Sequence, residues 1–399
     1  MRTLSSEWRP VATSRTTLAD MTFLLVGVSG FLLVALVHLA GGWMVANGLY
    51  REVFAVRPRA RDLSVRVREV SRGRITLESP EPRQDTGHPG TLGLVWEGGN
   101  GRALDLIDVV GSRFIRGFEP IVGMPPVCEG ELSSCPPVEI DPYVFPGDPS
   151  DVGLDFEATT YESPLGTMGG WLVPAEEGTA WAVHCHGWTA ERREVIRMLS
   201  SYHRAGFNSL VIDYRNDPGG PPDSTGRYRF GLSEWEDLEA AVRTVLRRGA
   251  DRVVLSGYST GGALVMSFLE RSSLAGSVAA VVLDSPNIVL AEAIRNGTRD
   301  SRATPLMIEF GMWIADLRWK VDWEATNFVQ RADQILEVPA LVFHGTSDQT
   351  IPISVSRQLE ARVPDLVELV ETPAAGHVMS WNADPGRYDT YLRNFLDRV

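Results

Sequence analysis

Six short, near-continuous apolar runs punctuate the chain after residue 151, and they limit its possible folds more tightly than anything else in the sequence. They are AWAVHCH (180–186), SLVIDY (209–214), RVVLSGY (252–258), VAAVVLD (278–284), ALVFHG (340–345) and VELVE (367–371). A strand with one face in water alternates apolar and polar residues. A run without that alternation must be covered on both faces, as in the middle of a parallel sheet. Helical patterns lie between the runs. Ser233-Glu234-Trp235-Glu236 reads as a capping box, ahead of a stripe formed by Trp235, Leu238, Val242, Val245 and Leu246. Near the end, Tyr388, Tyr391, Leu392, Phe395 and Leu396 recur at helical spacing. The alternation predicts an α/β domain over 151–399, a mostly parallel sheet with helices on both faces.

The third run leads into LSGYSTGGALV, which holds the pattern G-x-S-x-G at 257–261. Glycine and serine are common enough here for the pattern to arise by chance, so its setting decides. Ser259 directly follows a predicted strand and precedes the helical TGGALVMSFLER, the strand–turn–helix context of a nucleophilic serine. A serine hydroxyl needs a base to take its proton, and the base needs an orienting carboxylate. Asp348 follows the run ALVFHG and His377 follows VELVE, so both fall on loops at the same sheet edge as Ser259, in the order Ser–Asp–His. The oxyanion of an acyl-transfer intermediate would be held by the backbone N–H of Thr260 and that of Trp188, in the loop after AWAVHCH.

Other candidates compete. Asp284 also ends a predicted strand and could replace Asp348 as the acid. His184 and His186 form H-x-H, but no carboxylate cluster accompanies them as a zinc site would require, and no metal or other cofactor is expected. Cys185 lacks a base of its own and reads as a small buried residue. Asp213 reads as a structural loop carboxylate, and the Gly/Pro-rich stretch after it lacks the Lys-Ser/Thr ending of a phosphate loop.

The motifs HCHGW, DYRNDPG, GRYRFGLSEWED, GYSTGG, HGTSDQTIP and AAGH, in that order, resemble the α/β-hydrolase superfamily near its serine-aminopeptidase-like and Bem46-like branch. The resemblance covers 151–399 and implies an α/β-hydrolase fold acting through Ser259, His377 and Asp348. An acyl ester or thioester is the expected small-molecule or lipid-like substrate. An aminopeptidase-like amide hydrolase and a catalytically silent, membrane-tethered binding module are the alternatives. His184 beside the oxyanion motif, and Thr260 where methionine is frequent, depart from the family pattern and leave the substrate's shape open.

Residues 287–336 break the strand–helix rhythm and are expected to form a cap, in which Met307, Phe310, Met312, Trp313 and Trp319 either pack inward or line an acyl pocket. Ahead of the α/β domain, residues 1–20 form a tail, and residues 21–46 are apolar without a formal charge. As a helix the latter run would extend ~39 Å, beyond the ~30 Å hydrocarbon core, and no A-x-A cleavage site follows it. A single-pass anchor is expected. Arginines clustered after the span favour a cytoplasmic domain, whereas a disulfide between Cys128 and Cys135 would favour the other side. Residues 51–149 alternate in short runs around Arg72-Gly73 as a hairpin would, predicting a small β-rich module without catalytic residues. The net charge of −13 argues against nucleic acid as a partner. Oligomeric state is not legible.

Overall fold

The computed structural model describes residues 18–57, 63, 65–79, 87–175, 178–299 and 301–399, with backbone alone for 18–28, 30 and 31. The expected tail at 1–20 lies outside these residues except for its last three, and so does most of the polar stretch after Glu78. Helix α1 (Leu18–Leu49) runs unbroken through the apolar segment and a few residues past each of its expected ends.

The chain divides into two compact units: a larger one, Glu52–Ser301 with Val321–Val399, and a smaller one, the residues up to Arg51 with Arg302–Lys320. In the larger unit the β-rich module is a six-stranded antiparallel sheet. Its strands are β1 (Arg66–Ser71), β2 (Arg74–Glu78), β3 (Leu92–Trp96), β4 (Gly99–Val110), β5 (Arg113–Val122) and β6 (Glu139–Asp141), in the order β1-β2-β5-β4-β3-β6. The predicted hairpin is there: Arg72 and Gly73 both have positive φ, 50° and 72°, and Ser71 pairs with Arg74. Two central residues with positive φ make the type I′ turn that suits the twist of paired strands. The module's core includes Val67, Leu77, Leu94, Phe114 and Ile140, and Met379 from the far end of the chain is buried in it.

An eight-stranded sheet follows, formed by β7 (Glu157–Ser163), β8 (Gly166–Val173), β9 (Ala180–Cys185), β10 (Asn208–Ile212), β11 (Arg252–Tyr258), β12 (Val278–Asp284), β13 (Ala340–Gly345) and β14 (Val367–Thr372). The order is β7-β8-β10-β9-β11-β12-β13-β14. The last six strands in sequence are parallel, and β8 is antiparallel to both of its neighbours. Helices α2 (Ile196–Arg204), α3 (Trp235–Arg247), α4 (Thr260–Arg271) and α5 (Leu290–Gly297) belong to this domain. So, after an intervening α6 (Pro305–Trp319), do α7 (Ala332–Ile335), α8 (Ser354–Arg362), α9 (Ser380–Ala383) and α10 (Pro385–Leu396). Successive strand residues serve opposite cores: Val253 and Leu255 pack with α3 and α4, and Val254 packs with α2 and α10. Burial on both faces is why the strand sequences do not alternate. The start of α3 differs from its expected capping box. Glu234, not Ser233, organises it, its carboxylate accepting the amides of Arg229 and Gly231 at 2.6 and 3.0 Å.

The crossover from β10 to β11 passes β9, so the carboxyl ends of β9 and β11 meet where strand order reverses. Open α/β sheets bind ligands at that point. In the smaller unit α6 packs along α1, so the segment expected as one cap divides between the two units.

Candidate active site

Strand β11 ends at Tyr258, and Ser259 turns the chain into α4 with φ 50° and ψ −115°, a conformation unusual for any residue with a side chain. Backbone contacts hold it there: its N–H donates to the Asp284 carbonyl at 2.9 Å, and its own carbonyl accepts the amides of Gly262 and Asn287 at 3.0 and 2.9 Å. The flanking glycines are sterically required. A Cβ on Gly257 would stand 2.6 Å from the Gly261 backbone, and one on Gly261 would stand 2.1 Å from the Cys185 carbonyl oxygen.

His377, on the loop after β14, places Nε2 2.8 Å from Ser259 Oγ and Nδ1 2.8 Å from Asp348 Oδ2. A carboxylate only accepts, so Nδ1 carries the hydrogen and Nε2 turns its lone pair to the hydroxyl. Asp348 is fixed in turn, its Oδ1 accepting the amides of Thr350 and Ile351 at 2.8 and 2.9 Å. Burial acts to raise the Asp348 pKa, but the charge and hydrogen bonds of His377 and His344 outweigh it, and the carboxyl lies well below its ordinary range. Burial likewise acts against a charged His377, and the Asp348 carboxylate reverses that, raising the imidazole above its ordinary value. Such an arrangement can draw a proton from Ser259 and hold the resulting imidazolium.

The other sequence candidates take separate places. Gly187 gives its N–H to the Glu194 carboxylate at 2.6 Å, which leaves Trp188 as the next amide on that loop. Thr260 opens α4, where first-turn amides have no intrahelical acceptor. Asp284 is wholly buried, bonded at 3.2 Å by the Ser285 hydroxyl, and burial pushes its pKa up to about 6. His377 turns its Nδ1 to Asp348 instead. His184 meets Ser209 Oγ at 3.1 Å and is pushed down to about 3 by burial. Both His186 nitrogens face acceptors, the Gly187 carbonyl and Asp217, each at 2.9 Å. Burial opposes its charge but Asp217 outweighs it, pushing the pKa up to about 9. His186, Asp213 and Asp217 bring ligand-type atoms within 4.8 Å of one another, a grouping the H-x-H reading missed. Arg192 also binds Asp213 there, at 2.8 Å. Cys185 is buried, as expected, and burial raises its pKa.

Sequence reasoning missed the residues that hold the catalytic-type loop. His344 Nε2 lies 3.3 Å from Asp348 Oδ2, and Ser285 Oγ accepts the Val378 amide at 3.1 Å. More consequential is the β-rich module. His88 Nε2 accepts the N–H of Gly376, next to His377, at 2.6 Å, while Nδ1 lies 2.6 Å from the Pro89 carbonyl. Buried Arg116 fixes that segment by donating to the carbonyls of His88 and Gly90. Asn382 gives its amide hydrogens to the carbonyls of Thr91 and Pro142, and Arg197 bonds Pro142, Val378 and Asn382 together. A cavity of about 140 Å³ contains Ser259 and His377, and its walls include Pro142, Tyr143, Trp188, Glu194, Arg197 and Val378. Every lining residue belongs to the larger unit. A second cavity, of about 650 Å³, shares His377 and Pro142 with it and is bounded by His88, Gln349, Thr350 and Met379.

Comparison with known proteins agrees with this architecture. Residues 182–388, just over half the chain, match the model of the family described as "Alpha/beta hydrolase family". The chain is 24% identical over 282 residues to the uncharacterised protein YfhR of Salmonella typhimurium, covering 65% of this chain and 87% of that one. It is 25% identical over 216 residues to the uncharacterised protein Rv2307c of Mycobacterium tuberculosis, covering 53% and 68%. Among solved structures it resembles the Pyrococcus furiosus esterase Pf2001, with a TM-score of 0.51, 19% identity and coverage of 63% and 94%. The strand–turn–helix at Ser259, the sheet around it and the family match together place this chain in the α/β-hydrolase family.

Proposed function

We propose that the protein is a membrane-anchored serine hydrolase that cleaves a carboxylic ester or thioester through an acyl-enzyme. Ser259 is the nucleophile, His377 the base and then the acid, and Asp348 holds the imidazole in the required tautomer. The amides of Trp188 and Thr260 receive the oxyanion, and the reaction needs no cofactor. One observation carries the reading: the continuous relay from Ser259 Oγ through His377 to Asp348, both links at 2.8 Å. Its direct test is labelling by a fluorophosphonate probe, with hydrolysis of p-nitrophenyl esters and aminoacyl anilides measured in parallel. Wild-type protein should label and Ser259→Ala should not. A wild-type chain that stays unlabelled while control hydrolases react would leave a silent binding module as the better account.

The anchor is α1. Over Leu32–Phe54 the mean hydropathy of the best window is 1.7 and only 17% of it is buried, which is more in keeping with lipid than with a protein core as surroundings. Cys128 and Cys135 are joined as a disulfide, which supports placing the hydrolase on the oxidising side of the membrane, against the arginine bias.

A further inference from the structure

Helix α6 is apolar on more than one face, and in the smaller unit it has a close partner in α1. Small residues let the two backbones approach. Met307 lies against Gly41 and Phe310 against Gly42, and at Gly311 a Cβ would come within 2.5 Å of Val45. Trp319 stacks on Tyr50 with ring centroids 4.8 Å apart, and the Arg318 guanidinium sits over the Trp43 ring at 4.4 Å. From Met307–Gly41 through Gly311–Val45 to Trp319–Tyr50 the contacts climb both helices in the same direction, the long Arg318 side chain reaching back, so α6 runs parallel to α1 and starts beside Gly41.

That register sets a level along the anchor. From residue 18 to residue 40, before α6 begins, α1 rises ~33 Å, close to the ~30 Å of a bilayer's hydrocarbon. With α1 crossing a bilayer from about residue 18, the first turns of α6 would lie where hydrocarbon gives way to headgroups. At that level α6 shows one largely exposed stripe, in which Phe310 also packs on α1. Leu306, Phe310, Trp313 and Leu317 follow i, i+4, i+7, i+11 spacing along one line of the helix. Leu306, Trp313 and Leu317 are each more than half exposed. Glu309 and Asp316 stand together to one side of the stripe. Leu36, Leu39 and Trp43 of α1 are exposed as well.

We propose that α6 is an interfacial helix: its stripe enters the headgroup–acyl boundary of the same bilayer that α1 crosses, so the hydrolase domain is fixed to lipid at two points far apart in sequence. The inference rests on the reading of α1 as an anchor. It shortens the hydrocarbon-embedded part of α1 to end near Gly41, and assigns the exposed apolar residues of 306–317 to lipid, not to an acyl pocket. The flanking acids make burial of apolar area, not attraction to anionic lipid, the driving term.

The test uses the full chain reconstituted in phosphatidylcholine vesicles, with single nitroxides at Leu306→Cys, Trp313→Cys, Glu309→Cys, Asp316→Cys and, in α1, Leu33→Cys. Collision with oxygen is compared with collision with a water-soluble nickel chelate. The oxygen-to-nickel ratio at 306 and 313 should exceed that at 309 and 316 several-fold, and 33 should give the highest ratio. A high ratio at 33 with nickel-dominated 306 and 313 overturns the interfacial helix and leaves the anchor standing. A nickel-dominated 33 overturns both. A second measurement guards against misfolded variants: phosphatidylcholine brominated near the headgroup should quench wild-type tryptophan emission, and Trp313→Phe should remove part of that quenching. An unchanged fraction counts against the proposal.

Discussion

On the proposed mechanism, the length of acyl chain accepted follows from the space around Ser259. The cavity holding Ser259 and His377 measures about 140 Å³. That is below the ~300–1,000 Å³ of ordinary ligand pockets, so a short acyl group, of about butyryl length, is expected to fill it. Up to that size each added methylene contributes at most ~0.8 kcal/mol if wholly buried, or about fourfold in kcat/KM. Acetate to butyrate adds two methylenes, so the gain should reach about 15-fold. Past butyrate the walls, which include Pro142, Tyr143 and Val378, have no room to give without strain, and the profile should flatten or fall. A second cavity of about 650 Å³, which His377 and Pro142 also line, is the expected room for the leaving group, so dependence on the alcohol should be weaker. The assay is kcat/KM for p-nitrophenyl esters from acetate to decanoate, followed by butyrates of increasingly bulky alcohols. A profile still climbing at octanoate, an order of magnitude or more above butyrate, would show that the acyl chain leaves this cavity and would refute the reasoning. Tyr143→Ala should lift the cut-off by a few carbons if the wall sets it.

Asp348→Asn should lower kcat by about three to four orders of magnitude, through loss of the tautomer that leaves His377 Nε2 free. If His377 is the base as proposed, activity needs it neutral; Asp348 raises its pKa against the effect of burial, so the acid limb of kcat/KM should lie above the ordinary histidine value and move to lower pH in this variant. Equal activity there, with loss in Asp284→Asn instead, would assign the acid to β12. His88→Ala leaves the Gly376 N–H without an acceptor, at a cost of about 1–3 kcal/mol, and should lower kcat more than it raises KM. Burial lowers the His88 pKa, so its neutral form is favoured on folding. The associated stability is present above its ordinary value near 6.5 and declines as pH falls through it, a decline that urea titrations should find shallower in His88→Ala. A carbonate wash should leave the full-length chain in the membrane pellet, whereas a chain beginning near Arg51 should be released; full-length protein in the supernatant would count against α1 as a span.

What was legible in the sequence is what local chemistry enforces. All six apolar runs became β9 to β14 within a residue or two, because strands covered on both faces cannot hide their composition. The strands β7 and β8 gave no such signal. Their sequences, EATTYES and GTMGGWLV, belong to the sheet's antiparallel edge, where one face is partly exposed and glycine is tolerated. That Ser259, Asp348 and His377 would meet was readable because each sits just past a strand, and the parallel sheet brings strand ends to one edge. His344 was readable in principle, as a histidine inside an apolar strand four residues before the acid. Helix α6 was legible as apolar but not as the partner of α1, since residues apolar on more than one face do not say which surface they meet.

The β-rich module escaped the functional reading for a different reason. It offers no group that reacts, and its contribution runs through backbone carbonyls, one neutral imidazole and the walls of a cavity. Its bonds to the loop of His377 span 288 residues in the case of His88 and Gly376, and 291 in that of Thr91 and Asn382. No periodicity or spacing rule reaches so far. Yet a base must be held within a fraction of an ångström of its nucleophile, and a loop on its own wanders further than that. In this chain Met379 is buried in the module's core two residues after His377, while His88 holds the amide immediately before it. The proposed base is therefore held on both sides by a module to which the proposal gives no part in the chemistry. Any loosening of the module therefore reaches His377 before it reaches Ser259, which is set by the main sheet alone: damage to residues 65–141 should appear first as lost catalysis, with the fold of the α/β domain still intact.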